Sequence, residues 1–350
     1  MKIGVLTWFF GNNYGAKAHS FALQEILKSM GHTVEMISYY PNNVKLFNIR
    51  MNLNTPHIKY HPIIFLKCLL RCKRFDSWTK KKYCATKKVT TASEIDSLGF
   101  DVIIVGSDEV FNYEHKFFDY IYYGVGLQTR LIAYAPSSGQ ADCNVCFDKL
   151  TCESLERFDY LSARDEHTKK LLLTNTKKEI ALALDPTLLY EFEIEKDSFA
   201  GRVPYILIYS FDTWDIYKDY VKAFAKMKNL KIICIGRRCT WADQSYISAD
   251  FMSWLSAFKH ASYVFTDSFH GVVFSIKNRK QFLIVSRRDK INKIKDLLSQ
   301  VGINRDFYTG KISVDDYFAE EIDYAPVQDR MSELKKKSLG YLTKALEGRK

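Results

Sequence analysis

The sequence contains no apolar run long enough to cross a membrane. Its longest apolar stretches, such as "PIIFLKCLL", fall well short of the roughly 18 residues that a membrane-spanning helix needs. The N-terminal "KIGVLTWFF" runs directly into "GNNYG" without a pattern for signal-peptide cleavage. We therefore expect neither a signal peptide nor a membrane helix, and we expect a globular protein of the cytoplasm.

Cysteine is sparse, with eight residues in a chain of 350. This density is far below that of a small secreted protein held together by disulfides, so we expect reduced thiols. Cys143 and Cys146 form a single CxxC pair with Cys152 nearby. A structural zinc site would need a second matching pair of ligands, which the sequence lacks. We expect no metal site here.

The recognised patterns of nucleic-acid binding proteins are also missing, although the chain is basic. Lys and Arg number 51 against 40 for Asp and Glu, which gives a formal charge of +11 and predicts anionic partners. No zinc-finger, RNP or helix-turn-helix pattern and no basic arm is found, so we expect no nucleic-acid partner. Phosphorylated metabolites and anionic lipids remain as candidate partners.

One segment concentrates basic and apolar residues together. Residues 59–82, "KYHPIIFLKCLLRCKRFDSWTKKK", mix aliphatic and aromatic side chains with many Lys and Arg. This pattern is typical of helices that lie on an acidic membrane surface. It is equally typical of a helix that packs one face on a protein core and leaves a basic face in water. The sequence leaves both interpretations open.

Strands and helices alternate along the chain. "KIGVLTWFF" predicts a strand, "GAKAHSFALQEILKSMG" an amphipathic helix and "TVEMISYY" a second strand. A charged stretch at 190–204, "YEFEIEKDSFAGRVP", predicts a linker, after which the alternation restarts at "YILIYSF". We expect an α/β protein with two doubly wound, Rossmann-like domains at 1–195 and 200–325, followed by a C-terminal helix at 326–350.

Polar clusters follow several of the predicted strands, at their carboxyl ends. They are "GNNYG", "GSDEVFN", "SSG", "RD" and "DSFHG". Ligands of doubly wound sheets gather at these ends, so the clusters in both halves predict a cleft between the domains. Each cluster also has a purely structural alternative, such as a glycine turn, a helix cap or an Arg–Asp pair. The candidate substrate-binding residues are Asn13, Tyr14, Gly15, Ser107, Asp108, Arg164, Ser268 and Gly271.

His270 is the candidate catalytic residue. It lies in "YVFTDSFHGVVFSI", where a buried strand gives way to a helix, and Gly271 beside it would let a ligand approach the backbone. An imidazole there can transfer protons while the helix N-terminus holds an anion. The alternative is a buried histidine with a structural role.

Six motifs, in order along the chain, resemble those of the polysaccharide pyruvyl transferase family. They are "GVLTWFFGNNYGAKAHSFALQ", "DVIIVGSDEVFN", "IAYAPSSG", "YLSARDEHT", "DPTLL" and "YVFTDSFHGVVFSI". The resemblance implies two Rossmann-like domains that face each other across a cleft, as in GT-B glycosyltransferases, with the acceptor on the N-terminal side and the donor on the C-terminal side. It implies transfer of a pyruvyl group from phosphoenolpyruvate to a hexose, such as galactose, without cofactor or metal.

The family resemblance also implies residue roles. His270 would transfer a proton and Arg164 would bind the anionic donor. Ser268 stands where other branches of the family carry Arg, so one donor contact must come from elsewhere. The start of the first helix, "AKAHS", departs from the family pattern, which leaves acceptor contacts near Lys17 and His19 undecided.

Attack by sugar hydroxyls on the donor also requires a base. Asp108, Asp185 and Asp267 are candidates that the sequence does not rank. Two other functions stay open: a GT-B glycosyltransferase that uses a nucleotide sugar, because fold does not fix the donor, and a non-catalytic sugar-binding protein, for which Ser268 gives some support. A bacterial capsule or exopolysaccharide acceptor built on a lipid carrier would bring the enzyme to the inner membrane face through residues 59–82.

Overall fold

The structure, a computed structural model, describes residues 1–40, 62–211, 214–285 and 291–348. These residues form two compact units. The first unit contains 1–40, 77–191 and 331–348, and the second contains 62–76, 192–211, 214–285 and 291–330. Each unit is therefore assembled from separate stretches of the chain, and a segment following the second sheet returns to the first unit.

The first unit is built on a six-stranded sheet in which all neighbouring strands are parallel. Its strands are β1 (Lys2–Leu6), β2 (Thr33–Met36), β3 (Val102–Val105), β4 (Leu131–Ala133), β5 (Phe158–Ala163) and β6 (Ile180–Leu182). They lie in the order β2-β1-β3-β4-β5-β6. Hydrophobic clusters cover both faces of this sheet, which explains why strands such as "VIIV" are apolar throughout.

The second unit is built on a five-stranded parallel sheet. Its strands are β7 (Tyr205–Tyr209), β8 (Lys231–Ile235), β9 (Gln244–Tyr246), β10 (Tyr263–Thr266) and β11 (Gln281–Ile284). Their order is β11-β10-β7-β8-β9. The central strands β7 and β10 are again buried along nearly their whole length.

Helices alternate with the strands of both sheets. In chain order they are α1 (Tyr14–Ser29), α2 (Pro62–Lys82), α3 (Ala92–Asp96), α4 (Lys149–Glu156), α5 (Glu166–Asn175), α6 (Pro186–Leu189), α7 (Lys218–Met227), α8 (Phe251–His260), α9 (Phe269–Lys277), α10 (Ile291–Val301), α11 (Val314–Tyr317) and α12 (Tyr324–Glu347). Among the described helices, none combines the length and the hydrophobicity of a membrane span.

The strand order of each sheet reverses at one position. In the first sheet the chain moves outward from β1 to β2 on one side and from β3 onward on the other. In the second sheet the reversal lies between β7 and β10. Connections on the two sides of such a position leave in opposite directions, which opens a crevice at the carboxyl ends of the two strands. Each unit therefore has one preferred ligand position.

The predicted alternation of strands and helices is confirmed, with three local differences. The strand predicted from "KIGVLTWFF" ends at Leu6, and the apolar "VVFSIK" belongs to helix α9 rather than to a strand. Strand β9 has the polar sequence "QSY" and is partly exposed at the sheet edge. It was not predicted, because the search for strands relied on apolar runs. Residues 59–61 of the basic and apolar segment lie outside the described residues.

The C-terminal end of α12 is fixed to the first unit by one arginine. The Arg130 side chain pairs with Asp159 at 2.6 Å and donates to the Ala345 and Gly348 carbonyls, each at 2.7 Å. These carbonyls lie in the last turn of the helix and just beyond it, where no backbone partner is available within the helix. A cation at this end also interacts favourably with the helix dipole.

We expect Arg130→Met to lower the free energy of unfolding by about 1 to 3 kcal/mol, because one substitution removes the ion pair and the helix cap. Lys149→Met is a matched control: its ion pair with Glu153 has side chains that are 89% and 62% exposed, so the loss should be negligible. Urea unfolding curves of both variants measure the difference. Equal stability of the two variants would contradict this account of the anchor.

Candidate active site

The reversal point of the first sheet carries a cluster of charged side chains. Asp108 follows β3, and its carboxylate lies 3.5 Å from His19 Nε2 and 3.4 Å from Arg164 Nη1. His19 comes from α1, which follows β1, and Arg164 follows β5. The sequence predicted polar groups at all three strand ends, and the structure brings them into one cluster.

The backbone holds Asp108 in an unusual conformation. Its φ is 70°, which residues other than glycine rarely adopt. The Asp108 carbonyl accepts a 2.7 Å hydrogen bond from Ser137 N, and this bond holds the Asp108 backbone in place. Gly106 leaves room for this path, since a Cβ there would lie 2.2 Å from the Tyr134 carbonyl oxygen. Backbone strain of this kind is concentrated at functional sites.

Arg164 is shared by two carboxylates. Its Nη1 donates to Asp185 at 2.8 Å in addition to its contact with Asp108, and the arginine is only 4% exposed. The other Asp185 oxygen accepts from the backbone N–H and the hydroxyl of Thr187, so Asp185 also caps α6. The helix cap and the buried ion pair thus occupy both oxygens of Asp185.

Burial and charge act in opposite directions on this cluster. Burial tends to lower the pKa of Arg164, but Asp108, Asp185 and Asp165 outweigh it and leave that pKa raised. For His19 burial dominates, so its pKa is lowered although Asp108 and Asp185 act to raise it. The cluster consequently contains a permanent cation, ionisable carboxylates and an imidazole that favours its neutral form.

The other predicted residues of the first unit have clear structural contacts. Asn13 caps α1, where its side chain accepts from Gly15 N at 2.9 Å, and Tyr14 is buried. The Ser107 hydroxyl is fully buried and donates to the Ala135 carbonyl at 3.0 Å. These contacts favour the structural alternatives for Asn13 and Ser107, whose substrate contacts stay predictions.

The reversal point of the second sheet carries a different cluster. Asp267 follows β10 and is fully buried. One of its carboxylate oxygens accepts from the Ser210 hydroxyl at 2.8 Å, and the other accepts from Phe211 N at 2.9 Å. Ser210 and Phe211 come directly after β7, the neighbouring strand. Asp267 therefore joins the two strand ends at the reversal point.

His270 lies in the first turn of α9, behind the N-cap Ser268, and is 8% exposed. Gly271 packs this turn against the end of β10, because a Cβ on Gly271 would lie 2.0 Å from Thr266 Oγ1. Thr266 Oγ1 donates to the Tyr209 carbonyl and accepts from Ser268 N. The close packing holds the start of α9, and so His270, at the strand ends.

Sequence reasoning missed a buried lysine in the second unit. Lys293 from α10 is 6% exposed, and its ammonium lies 5.3 Å from the centre of the Phe269 ring. The same ring meets the His270 imidazole edge to face at 5.3 Å. No motif marks Lys293, and only the contact between α9 and α10 places it here. The turn that contains His270 thus has an additional cation beside it.

Among the described residues, no group of three or more His, Cys, Asp or Glu side chains is arranged to hold a metal ion. The two clusters offer instead a histidine and a lysine at one reversal point, and a carboxylate oriented by Arg164 at the other. Such groups can bind an anion and transfer protons.

A family comparison decides the classification. The profile of the polysaccharide pyruvyl transferase family matches residues 13–289, which is most of the chain. The chain belongs to the polysaccharide pyruvyl transferase family. This family membership confirms the resemblance seen in the motifs, and it implies a transferase that acts on a polysaccharide. Comparison with curated protein sequences gives no match.

Solved structures agree on the fold of this pyruvyl transferase family member. The glycosyltransferase SnogD of Streptomyces nogalater is 10% identical, with 99% of each chain covered and a TM-score of 0.50. The spinosyn forosaminyltransferase SpnP is 11% identical, with 99% of this chain and 98% of that chain covered and a TM-score of 0.50. Together with the two parallel sheets, these likenesses confirm the predicted GT-B-like pair of Rossmann-like units.

The two carboxylates around Arg164 should differ in their effect on stability. We expect Asp185→Asn to cost about 3 kcal/mol or more of unfolding free energy, because it breaks a buried ion pair. Asp108→Asn should cost less than about 1 kcal/mol, because its side chain is 15% exposed and asparagine tolerates a positive φ. Urea unfolding of both variants measures this. The reverse order would contradict the assignment of Asp185 as the structural partner.

Proposed function

We propose that the protein transfers a pyruvyl group from phosphoenolpyruvate to a hexose of a surface polysaccharide, or of its lipid-linked precursor, and forms a pyruvate ketal. Family membership supports the reaction class. The observation that carries the proposal is the pair of clusters at the two reversal points, one centred on His270 and the other on Asp108. The chemistry requires a proton donor, a base and an anion site, and these clusters contain suitable groups.

The donor carries a carboxylate beside a phosphate, so it needs several cationic or N–H contacts. In the second unit we assign these contacts to the first turn of α9 and to Lys293. Lys293 would supply the positive charge that other branches of the family provide with an arginine at the position of Ser268. In the first unit, Arg164 is the donor contact that the family resemblance implies, and its planar guanidinium suits a carboxylate or a phosphate.

The contacts of the three candidate bases support one of them over the others. Asp185 uses both oxygens in the α6 cap and the Arg164 pair, and Asp267 uses both in contacts to Ser210 and Phe211. Asp108 has the most exposed side chain of the aspartates around Arg164, and its contacts to Arg164 and His19 are long, at 3.4 and 3.5 Å. We therefore assign Asp108 as the base that accepts the proton of the sugar hydroxyl.

The proposed steps follow from these assignments. His270 protonates the methylene carbon of the enol, which leaves positive charge on the neighbouring carbon. Asp108 takes the proton of the first sugar hydroxyl, whose oxygen bonds to that carbon. The oxygen of the second hydroxyl then displaces phosphate and completes the ketal, and of the two hydroxyl protons one restores His270 while the other leaves on the phosphate. The donor loses one phosphate and the sugar contributes two oxygens, so atoms and charges balance with neither oxidant nor metal in the scheme.

The donor assignment is tested by ligand-induced thermal stabilisation. Phosphoenolpyruvate should raise the melting temperature, because a ligand that binds only the folded state stabilises it, whereas UDP- and dTDP-sugars should not. His270→Ala should keep this shift but lose turnover by about 100-fold or more. A shift with nucleotide sugars alone would favour a glycosyltransferase, and binding without turnover on any glycan would favour a sugar-binding protein.

The Lys293 assignment has a matched control on the same helix. Lys293→Met should weaken phosphoenolpyruvate binding, and Lys293→Arg should largely retain it, because the charge is kept. Lys295→Met removes the same charge from an exposed position of α10 and should leave binding unchanged. Titration calorimetry on well-folded preparations measures all three. Equal affinity of Lys293→Met and Lys295→Met would refute the contact while leaving the reaction itself standing.

We also propose that α2 contacts the membrane on which a lipid-linked acceptor is built. Ile63, Leu66 and Leu70 are spaced to form one stripe along the helix and are 69%, 62% and 42% exposed. Lys67, Lys73, Lys80 and Lys81 are exposed on the same helix. An exposed apolar stripe among cations is complementary to an anionic lipid surface.

Other residues of α2 contact the second unit, and Arg74 among them lies next to Leu70, one turn along the stripe. Cys68 packs against Ile247, Arg71 donates to the Gly236 carbonyl, and Arg74 donates to the Ser248 carbonyl at 2.6 Å. Cys68 and Arg71 thus give α2 a protein-facing side that is distinct from the stripe, which supports the proposal that the stripe itself meets lipid. Arg74 has a structural contact as well, so the exposed lysines are the better choice for a test of lipid binding.

The triple variant Ile63→Ser, Leu66→Ser and Leu70→Ser should lose binding to vesicles of phosphatidylglycerol and phosphatidylcholine. Lys73→Gln, Lys80→Gln and Lys81→Gln together should weaken it, since each cation near the surface contributes about 1 kcal/mol. Leu173→Ser changes a leucine that is 54% exposed elsewhere and is the control. Turnover of a soluble acceptor should be unchanged. Undiminished vesicle sedimentation of the triple variant would eliminate the membrane contact.

A further inference from the structure

Two thiols lie together at the carboxyl end of β8, away from the clusters described above. Cys234 is fully buried near the end of β8, and Cys239 is partly exposed in the loop that follows. Cys234 is the register partner of Ser245 on β9. Neighbouring strands of a sheet lie about 5 Å apart, so Ser245 is directly beside Cys234.

Ser245 also fixes Cys239. Its hydroxyl accepts from Cys239 N and donates to the Cys239 carbonyl, both at 3.0 Å. The loop is thereby folded back over the end of β8, so Cys239 and Cys234 both lie beside Ser245. A disulfide requires two cysteines that lie close together, and this arrangement places both next to one residue, Ser245.

The surroundings of Cys239 stabilise a thiolate. The Cys234 thiol makes the largest contribution, the backbone N–H groups of Trp241 and Ala242 also donate to the sulfur, and Arg237 supplies positive charge. Together they lower the pKa of Cys239 to about 7, whereas the pKa of the buried Cys234 is raised. A thiolate that is accessible and has a second thiol beside it has the two properties that oxidation-sensitive cysteines share.

We propose that Cys239 and Cys234 are a reversible oxidation site, in which a hydroperoxide oxidises Cys239 and Cys234 then closes a disulfide. In the first step the Cys239 sulfur attacks one peroxide oxygen and the O–O bond breaks. The other oxygen leaves as an alcohol or water, and Cys239 becomes a sulfenic acid. In the second step the Cys234 sulfur bonds to Cys239, and the hydroxyl leaves with the Cys234 proton as water. The peroxide gains the two electrons that the thiol pair loses.

The disulfide would close the loop at the same edge of the sheet as Ser210, one strand away. Gly236, the first residue of this loop, accepts the hydrogen bond from Arg71 of α2. Oxidation therefore acts on a loop that already has defined contacts, and no large rearrangement is required. The assignment does not depend on which reaction the protein catalyses.

Peptide mapping of the native protein tests the proposal. Trypsin cuts after Arg237 and Arg238, so the cysteines fall in separate peptides, "IICIGR" and one that begins "CTWADQ". After one equivalent of hydrogen peroxide, we expect these peptides to be linked and to separate on reduction. Iodoacetamide labelling of Cys239 in untreated protein should be half-maximal at a pH of about 7.

Three variants complete the test. Cys239→Ser should give no linked peptide, and Cys234→Ala should instead accumulate a Cys239 sulfenic acid that dimedone captures. Cys84→Ser, which changes an exposed thiol elsewhere, should behave as the wild type does. Recovery of Cys234 and Cys239 as free thiols while Cys84 is oxidised would overturn the proposal. A linked peptide that forms only after denaturation would overturn it as well.

Discussion

The organisation of this protein depends on the direction of its strands. Because all paired strands within each sheet are parallel, every carboxyl end within a sheet lies at the same edge, and the reversal of strand order opens one crevice there. Asp108 and His19 lie at this position in the first unit, and Asp267 and His270 lie at it in the second. Chemistry-bearing side chains that are far apart in the sequence are collected by this single constraint.

Contacts between neighbouring residues then hold these side chains in place within each unit. Arg164 is held by Asp185, which also caps a helix, and it in turn contacts Asp108. In the second unit the packing of Gly271 on Thr266 holds the turn that carries His270. The Lys293 ammonium lies 5.3 Å from the centre of the Phe269 ring in the same turn. In both units, groups that maintain the fold lie next to the groups that we propose to contact substrate. Family membership gives the class of reaction, transfer to a polysaccharide.

The sequence predicted those features that depend on short-range patterns. Apolar runs followed by polar clusters located the strand ends, so Asp108, Arg164 and His270 could be named in advance. The role of Asp185 as the structural partner of Arg164 could not be predicted, because it depends on how the ends of β5 and β6 meet in space. Lys293 and the Cys234–Cys239 pair were missed for the same reason, since each depends on a packing contact between separate elements. Strand β9 was missed because a short polar edge strand lacks the hydrophobic signal.

The central claim is that a proton is added to the methylene carbon of phosphoenolpyruvate while the pyruvyl group is transferred to a sugar. Incubation with phosphoenolpyruvate and a galactose-terminated oligosaccharide in D2O tests this directly by NMR and mass spectrometry of the product. The account predicts a pyruvate ketal whose methyl group carries one deuterium, together with release of inorganic phosphate. Failure to form a ketal on any hexose-terminated glycan, or formation of one whose methyl group carries no deuterium, would contradict it.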